Sequence, residues 1–147
     1  MNRRTSINLS IITLILGSLA ACTNLPRGVA PGATLIGLPD SGKLVRLHPT
    51  QQLVIQLEAN VTTGFQWELD KTIDRTVLLA DGSKFSKTQA QRDQEDEVSE
   101  QFLRFVAQQP GRTRLQLVYV QPKVGTLADS PRYNVDVIVA PKPDETQ

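Results

Sequence analysis

The sequence is poor in the residues that catalysis and cross-linking most often use. Its 147 residues include one cysteine, Cys22, and one histidine, His48. A single cysteine cannot form an internal disulfide, and a single histidine excludes any site that needs two imidazoles. These two residues leave no obvious pair of nucleophile and base. We therefore expect a protein that is not an enzyme and that needs no cofactor and no metal.

The sequence also lacks a strong net charge. Lysine and arginine together number 16 against 15 aspartate and glutamate residues, so the formal net charge is +1. Basic residues are scattered among acidic ones, whereas nucleic-acid binding favours a continuous basic patch. We therefore expect no nucleic-acid partner. A chain of 147 residues suits a single domain, and we expect a monomer.

The apolar run near the N-terminus is too short to span a membrane. Ile7 to Leu16 is mostly apolar over about ten residues, roughly half the ~20 that a spanning helix needs. Arg3 and Arg4 precede this run, and the small residues Ser18, Ala20 and Ala21 follow it. This charged, apolar, small-residue order is typical of a secretory signal peptide. Residues 1–21 are therefore predicted to be a signal peptide.

The end of this segment, Leu19-Ala20-Ala21-Cys22, resembles the lipobox of bacterial lipoproteins. The resemblance implies cleavage before Cys22 and acylation of that cysteine, which would attach the protein to a membrane. Thr23 in place of aspartate after the cysteine implies the outer membrane of the cell envelope, facing the periplasm or the surface. The alternative is an ordinary cleaved signal followed by a chance cysteine. Residues 22–33 contain two prolines and two glycines and show no periodic pattern of apolar residues. They are predicted to be a flexible tether.

Residues 34–140 carry strand signals, because alternation and turn residues recur and no helical stripe persists. Strands are predicted at 34–38, 43–47, 52–58, 65–69, 76–80, 84–88, 98–107, 112–121 and 132–140, with Asp81-Gly82 as a turn between two of them. Seven to nine short strands in about 110 residues predict an all-β, antiparallel β-sandwich. An up-and-down barrel is the alternative. Residues 141–147 are predicted to be a polar tail.

Alternation also predicts which side chains face the core. The inward sets are Leu53, Ile55 and Leu57; Leu103, Phe105 and Ala107; Leu115, Leu117 and Tyr119; and Tyr133, Val135, Val137 and Val139. Phe65, Trp67 and Leu69 share one face of a further strand. Phe65 and Trp67 are interpreted mainly as core residues, with contact to a partner as the alternative for Trp67.

The loop between the strands at 52–58 and 65–69 has the composition of a loop with one fixed shape. Asn60 can bond its own backbone, Thr62 and Thr63 are stiff at χ1, and Gly64 permits a positive φ. A flexible linker would instead be rich in serine and glycine.

This loop resembles the hallmark of the chagasin-type inhibitors of papain-like cysteine proteases, which is Asn-Pro-Thr-Thr-Gly, an aromatic residue, one residue and Trp. The sequence here is Asn60-Val61-Thr62-Thr63-Gly64-Phe65-Gln66-Trp67. The resemblance implies an immunoglobulin-like sandwich in which three loops at one end enter the cleft of a papain-like cysteine protease. It implies that protease contacts come from Asn60, Val61, Thr62, Thr63, Gly64, Phe65 and Trp67.

The other two loops of the family pattern match less well. The second is glycine-rich in the family, whereas residues 91–97 here are polar and acidic; by position, Arg92 and Asp93 would flank the protease. Charged residues at 93–97 are otherwise typical of a solvated loop, and they lack the spacing of a calcium site. The third is Arg-Pro-Trp in the family. Here it falls at Gln121-Pro122-Lys123, which implies contacts from Pro122 and Lys123. These differences leave a second hypothesis, an envelope lipoprotein that acts as a non-inhibitory protein-binding module.

Overall fold

The computed structural model describes residues 29–87 and 98–143. These residues form eight strands and one 3₁₀ turn, Leu38–Asp40. The strands are β1 (Thr34–Gly37), β2 (Leu44–Leu47), β3 (Gln52–Ala59), β4 (Gln66–Leu69), β5 (Leu78–Ser86), β6 (Ser99–Ala107), β7 (Gly111–Val120) and β8 (Arg132–Val139). In the described part of the chain, no helix has the length and apolarity to cross a membrane.

The strands form two four-stranded sheets that face each other. The first sheet has the order β1-β3-β6-β5, and the second has the order β2-β8-β7-β4. The predicted all-β sandwich is confirmed, and the barrel alternative is excluded because the two sheets are separate.

The predicted antiparallel pairing is wrong at one edge of each sheet. β1 pairs with β3 in parallel, and β2 pairs with β8 in parallel. The other strand pairs are antiparallel. The chain passes from the first sheet to the second between β1 and β2, so these strands do not pair with each other. Each pairs instead with a strand that runs in its own direction. Side-chain alternation does not report strand direction, so the sequence pattern could not reveal this.

The core lies between the sheets and follows the predicted alternation. Side chains from β3, β6, β7 and β8 that were predicted to face inward are buried; they are Leu53, Ile55, Leu57, Leu103, Phe105, Ala107, Leu115, Leu117, Tyr133, Val135, Val137 and Val139. Tyr119 is partly buried and packs against this core.

The prediction for β4 is correct for Trp67 and wrong for Phe65 as a core residue. Trp67 is buried at 8% exposure, whereas Phe65 is 37% and Leu69 is 39% exposed. The cause is the short length of β4, an edge strand of four residues. Phe65 precedes this strand and Leu69 ends it, so only the central Trp67 is covered by both sheets.

The predicted turn at Asp81-Gly82 is a bulge within one strand. β5 runs through both predicted strands, and its register against β6 shifts between Ala80 and Ser83. Gly82 has a φ of +86°, a conformation that glycine adopts without steric cost. Two predicted strands are therefore one.

The outer face of the first sheet is partly covered by the chain that precedes β1. Val29 is buried at 9% exposure and clusters with Val54 and Phe102, with Ala33 packed against them. Residues 29–33 were predicted to belong to the flexible tether, so the packed domain begins earlier than expected. The predicted signal peptide, Cys22 and the rest of the tether lie outside the described residues, as do residues 144–147 of the predicted tail.

Candidate functional site

Strand ends that are joined by three connections lie at one end of the sandwich, which we call the loop end. The connections are the first loop (residues 60–65), the second loop (87–98, of which Lys87 and Val98 are described) and the third loop (121–131). The strand register brings these strand ends together: Ala59 at the end of β3 lies opposite Ser99 at the start of β6. Gln66 at the start of β4 likewise lies opposite Val120 at the end of β7. Arg92 and Asp93, predicted in the second loop, lie outside the described residues.

The first loop is closed by hydrogen bonds that begin at Asn60. The Asn60 Oδ1 accepts a bond from the Thr63 N–H at 3.1 Å, and the Asn60 carbonyl accepts bonds from Thr63 Oγ1 at 3.2 Å and from the Phe65 N–H at 2.9 Å. The Gly64 N–H donates to the Val61 carbonyl at 3.2 Å. Gly64 has a φ of +80°, as predicted. We call residues 61–64 the tip, and these bonds hold it in a tight turn.

Tyr119 supports the first loop from β7. Its hydroxyl accepts a hydrogen bond from the Asn60 N–H at 3.0 Å. Its ring stacks on Phe65 at a centroid distance of 5.5 Å and lies against Trp67 at 5.2 Å. Aromatic pairs at these distances are favourable by about 0.5–1.5 kcal/mol beyond their burial. The exposed Phe65 is thus part of the platform beneath the tip.

Trp67, on β4 of the second sheet, is fixed by hydrogen bonds to the first sheet. Its N–H donates to the Oε1 of Gln101 at 2.7 Å, and its carbonyl accepts from the Nε2 of Gln101 at 2.9 Å. Its indole Nε1 donates to the Glu58 carbonyl at 2.8 Å. Gln101 is 2% exposed, and a buried amide stabilises the fold only when its polar atoms are bonded. The base of the first loop is therefore locked to the first sheet.

The first and third loops touch each other. The Nε2 of Gln121 donates to the Thr63 carbonyl at 2.9 Å. Together the loops line a shallow depression of ≈ 420 Å³, formed by Val61, Thr62, Thr63, Gly64, Gln121, Pro122 and Lys123. The structure thus brings together six of the predicted contact residues, and Gln121 is added to them.

The third loop starts with a tight turn. The Gln121 carbonyl accepts bonds from the Val124 N–H at 2.8 Å and the Gly125 N–H at 2.9 Å. Gly125 has a φ of +83°. Pro122 and Lys123 are exposed, and Val124 is 61% exposed. An aliphatic side chain therefore projects close to the position where the family pattern has tryptophan.

Three residues of this site were not identified from the sequence: Gln101, Tyr119 and Gln121. Gln101 shares the inward phase of β6 with Leu103, and a polar residue at a core position is a signal that it has a buried partner. Tyr119 was predicted to face inward, but its hydroxyl bond to the loop was not. Gln121 carries no local signal, since its partner lies 58 positions earlier in the chain.

The tip presents uncharged groups. The first loop contains no ionisable side chain. Among residues 29–87 and 98–143, no group of three or more His, Cys, Asp or Glu side chains could hold a metal ion. The tip offers backbone groups, two threonine side chains and an exposed valine. Such a surface can recognise a partner by shape and hydrogen bonds.

Comparisons with known proteins agree with this architecture. The protein-family model described as "Chagasin family peptidase inhibitor I42" matches residues 46–137. The cysteine protease inhibitor EhICP2 from Entamoeba histolytica has a similar solved structure, with a TM-score of 0.62 and 14% identity over 74% of this chain and 96% of that one. The solution structure of amebosin has a TM-score of 0.62 and 18% identity over 76% and 100% of the two chains. At these identities the structures support the fold. No curated protein matches the chain in sequence.

Proposed function

The chain belongs to the chagasin family of peptidase inhibitors, and we propose that it inhibits papain-like cysteine proteases by filling their active-site cleft. The observation that carries the proposal is the contact between the bonded tip and the third loop at one end of a rigid sandwich. Val61, Thr62, Thr63 and Gly64 enter the cleft, and Pro122 and Lys123 contact one rim.

The tip can fill a cleft without being cut. Papain-like enzymes attack with a cysteine that a histidine activates, and the attacked carbonyl must be held in a near-attack geometry. The tip is instead held in a turn by the Gly64 to Val61 bond and by the Asn60 side chain. Opening it would break several hydrogen bonds, each with a net value of about 0.5–1.5 kcal/mol. The turn therefore excludes substrate and resists cleavage.

Rigidity also favours tight binding. Protease–inhibitor interfaces commonly bury about 1,600 Å² in total. Affinity at that size depends on how little order is lost when the complex forms. Tyr119 and Gln101 fix the base of the first loop before any enzyme arrives, so the entropy cost of ordering the loop is small.

The proposal is tested by titrating the purified protein against several papain-like proteases and measuring the residual hydrolysis of a peptide substrate. We expect inhibition by the wild type and loss of at least about 100-fold in affinity, or ~2.7 kcal/mol, for Thr63→Asp. This substitution places an unpaired charge at the centre of the interface. Thr72→Asp is the matched control, because Thr72 is exposed in the connection at the opposite end of the sandwich. A folded wild-type protein that inhibits none of the enzymes at roughly 50 μM would overturn the proposal.

A second candidate function is a protein-binding module without inhibitory activity. The observation in its favour is the third loop, where Val124 is 61% and Leu127 is 55% exposed in place of an aromatic anchor. Capture of a non-protease partner from envelope extract, unaffected by Thr63→Asp and lost in Val124→Asp, would favour this module over the inhibitor.

We further propose that the protein is a lipoprotein of the outer membrane, attached through Cys22. The support is the order of residues before Cys22 and the absence of any other cysteine in the chain. Two or more acyl chains anchor a protein stably, whereas one gives only marginal binding.

A further inference from the structure

Gln121 joins two loops that are otherwise separate connections. Its side chain leaves the third loop, and its Nε2 donates to the Thr63 carbonyl at 2.9 Å. The same side chain lies beside Gly64: a Cβ built on Gly64 would be 3.7 Å from both Cγ and Nε2 of Gln121. Gln121 therefore bonds one residue of the tip and lies beside the next.

Gln121 is itself held in place, so it can act as a fixed support. It pairs with Gly125 in an isolated β-bridge. Its carbonyl accepts bonds from the N–H groups of Val124 and Gly125. The residue that follows is Pro122, whose ring restricts its own φ. The side chain thus extends from a turn with a defined backbone.

At Val61 the tip lacks a backbone restraint that the family pattern supplies. Val61 stands where the family pattern has proline, and among residues 29–87 and 98–143 its N–H has no hydrogen-bond acceptor. Without the proline ring, φ of Val61 can vary. The Thr63 carbonyl lies two residues further along the same turn, so a bond at that carbonyl limits the motion that Val61 allows.

We propose that Gln121 is a positioning residue that pre-orders the tip for protease binding and so substitutes for the missing proline. The inference rests on the proposed inhibitory function. Its physical basis is that an inhibitor loop ordered in the free protein loses less entropy on binding. A neutral hydrogen bond of ordinary strength corresponds to roughly a 3- to 10-fold change in affinity.

The first test measures order in the free protein. Gln121→Glu keeps the shape of the side chain and replaces the donor amide with an acceptor, and Gln121→Ala removes the side chain beyond Cβ. We expect faster amide exchange and lower ¹⁵N order parameters at Thr63 and Gly64 in both variants. Gln109→Ala is the matched control, since Gln109 is exposed near the opposite end of the sandwich. Unchanged order at Thr63 and Gly64 would overturn the proposal.

The second test measures inhibition. We expect Gln121→Glu to weaken it roughly 3- to 10-fold, mainly through slower association, because a smaller fraction of molecules has the binding-competent tip. Thermal stability should stay near that of the wild type. Inhibition equal to the wild type, in an assay where Thr63→Asp abolishes it, would overturn this inference and leave the proposed function intact.

A rescue variant separates positioning from direct contact with the enzyme. Val61→Pro removes no hydrogen bond among residues 29–87 and 98–143, and Asn60, which forms a β-bridge with Phe65, has the extended backbone that the residue before a proline needs. We expect Val61→Pro to restore most of the lost affinity in the Gln121→Glu background and to add little to the wild type. If the effects of Val61→Pro and Gln121→Glu on affinity are additive, Gln121 acts by direct contact with the enzyme, and the proposal is overturned. If the wild type inhibits no enzyme, the proposed function fails, while the order measurement still decides whether Gln121 fixes the tip.

Discussion

Gly64 ends the tip with a backbone that other residues adopt only at a cost. Its φ is +80°, and the nearest atoms to an added Cβ would be at 3.7 Å, an ordinary contact distance. Backbone strain rather than a clash should therefore dominate the effect of Gly64→Ala. That strain is about 1–2 kcal/mol, so we expect roughly a 5- to 30-fold loss of inhibition, measured as an inhibition constant.

Gly32 provides a matched control for that substitution. It has nearly the same φ, +82°, and an added Cβ would meet nothing within 4 Å. It lies just before β1, whose first residue pairs with Leu53 near the opposite end of the sandwich. Gly32→Ala should lower stability by a similar amount and leave inhibition unchanged. Equal inhibition by the wild type and Gly64→Ala would show that the tip does not need this conformation to bind.

At the residue scale, the sequence predicts conformations better than partners. The positive φ of Gly64 follows from its residue type and its place in a turn. The role of Gln121 does not, because its acceptor, the Thr63 carbonyl, belongs to another loop. Gln101 is predictable in part. Its place in the alternation of β6 indicates burial, but its partner cannot be predicted, because Trp67 lies 34 positions away on the other sheet.

At the element scale, β5 shows where local patterns are ambiguous. Two short apolar or alternating runs around Asp81-Gly82 have the composition of a hairpin. The structure pairs both runs with the same strand, β6, and places the dipeptide at a shift in register. A hairpin and a bulge share the same local sequence signals. A bulge needs one partner strand that is long enough to pair with both runs, as β6 does here. The local sequence does not show which strand is the partner.

The start of β7 is an element boundary where a small residue is required. A Cβ on Gly111 would lie 2.6 Å from Cγ2 of Val77, which is buried. Gly111→Ala should therefore destabilise the fold by about 1–3 kcal/mol through overpacking, measured as the free energy of unfolding in urea. In a Val77→Ala background the same change should cost much less. An equal loss of unfolding free energy in the two backgrounds would show that Gly111→Ala does not act through a clash with Val77.

The pairing of β7 with β8 includes an ion pair that should make stability depend on pH. Arg114 lies opposite Asp136, and its Nε and Nη2 donate to the carboxylate at 2.8 and 3.0 Å. The hydrogen bond from Arg114 lowers the pKa of Asp136 below its usual value. A lowered pKa in the folded state stabilises the fold above the unfolded pKa, about 3.9. This stabilisation is lost as the pH falls through the folded value.

Asp136→Asn should therefore unfold at a lower urea concentration than the wild type at pH 7. The two midpoints should converge as the pH is lowered well below about 4. Asp129→Asn, which removes the same charge from the exposed third loop, is the control. A constant difference between Asp136→Asn and the wild type across this pH range would contradict the expected linkage.

At the scale of the whole molecule, the proposed lipid anchor can be tested through Cys22. Cys22→Ser should move the protein from the membrane fraction to the soluble fraction of the cell envelope and abolish labelling with a radioactive fatty acid. Signal cleavage before Cys22 should also fail, leaving a precursor detectable by mass spectrometry. Ser18→Ala, in the same segment, should leave both labelling and fractionation unchanged. Retention of label in Cys22→Ser would show that the anchor lies elsewhere.

If the protein is anchored through Cys22, the contact of Val29 with the outer face of the first sheet limits how far from the membrane the inhibitor can reach. Cys22 precedes Val29 by seven residues, and a fully extended chain covers at most ~3.6 Å per residue. If Cys22 carries the lipid, Val29 and the sheet face that it covers stay within about 25 Å of the membrane surface. The loop end then works inside a thin layer along that surface. The protein would then inhibit proteases that act within this layer, and a protease acting farther from the membrane would be beyond its range.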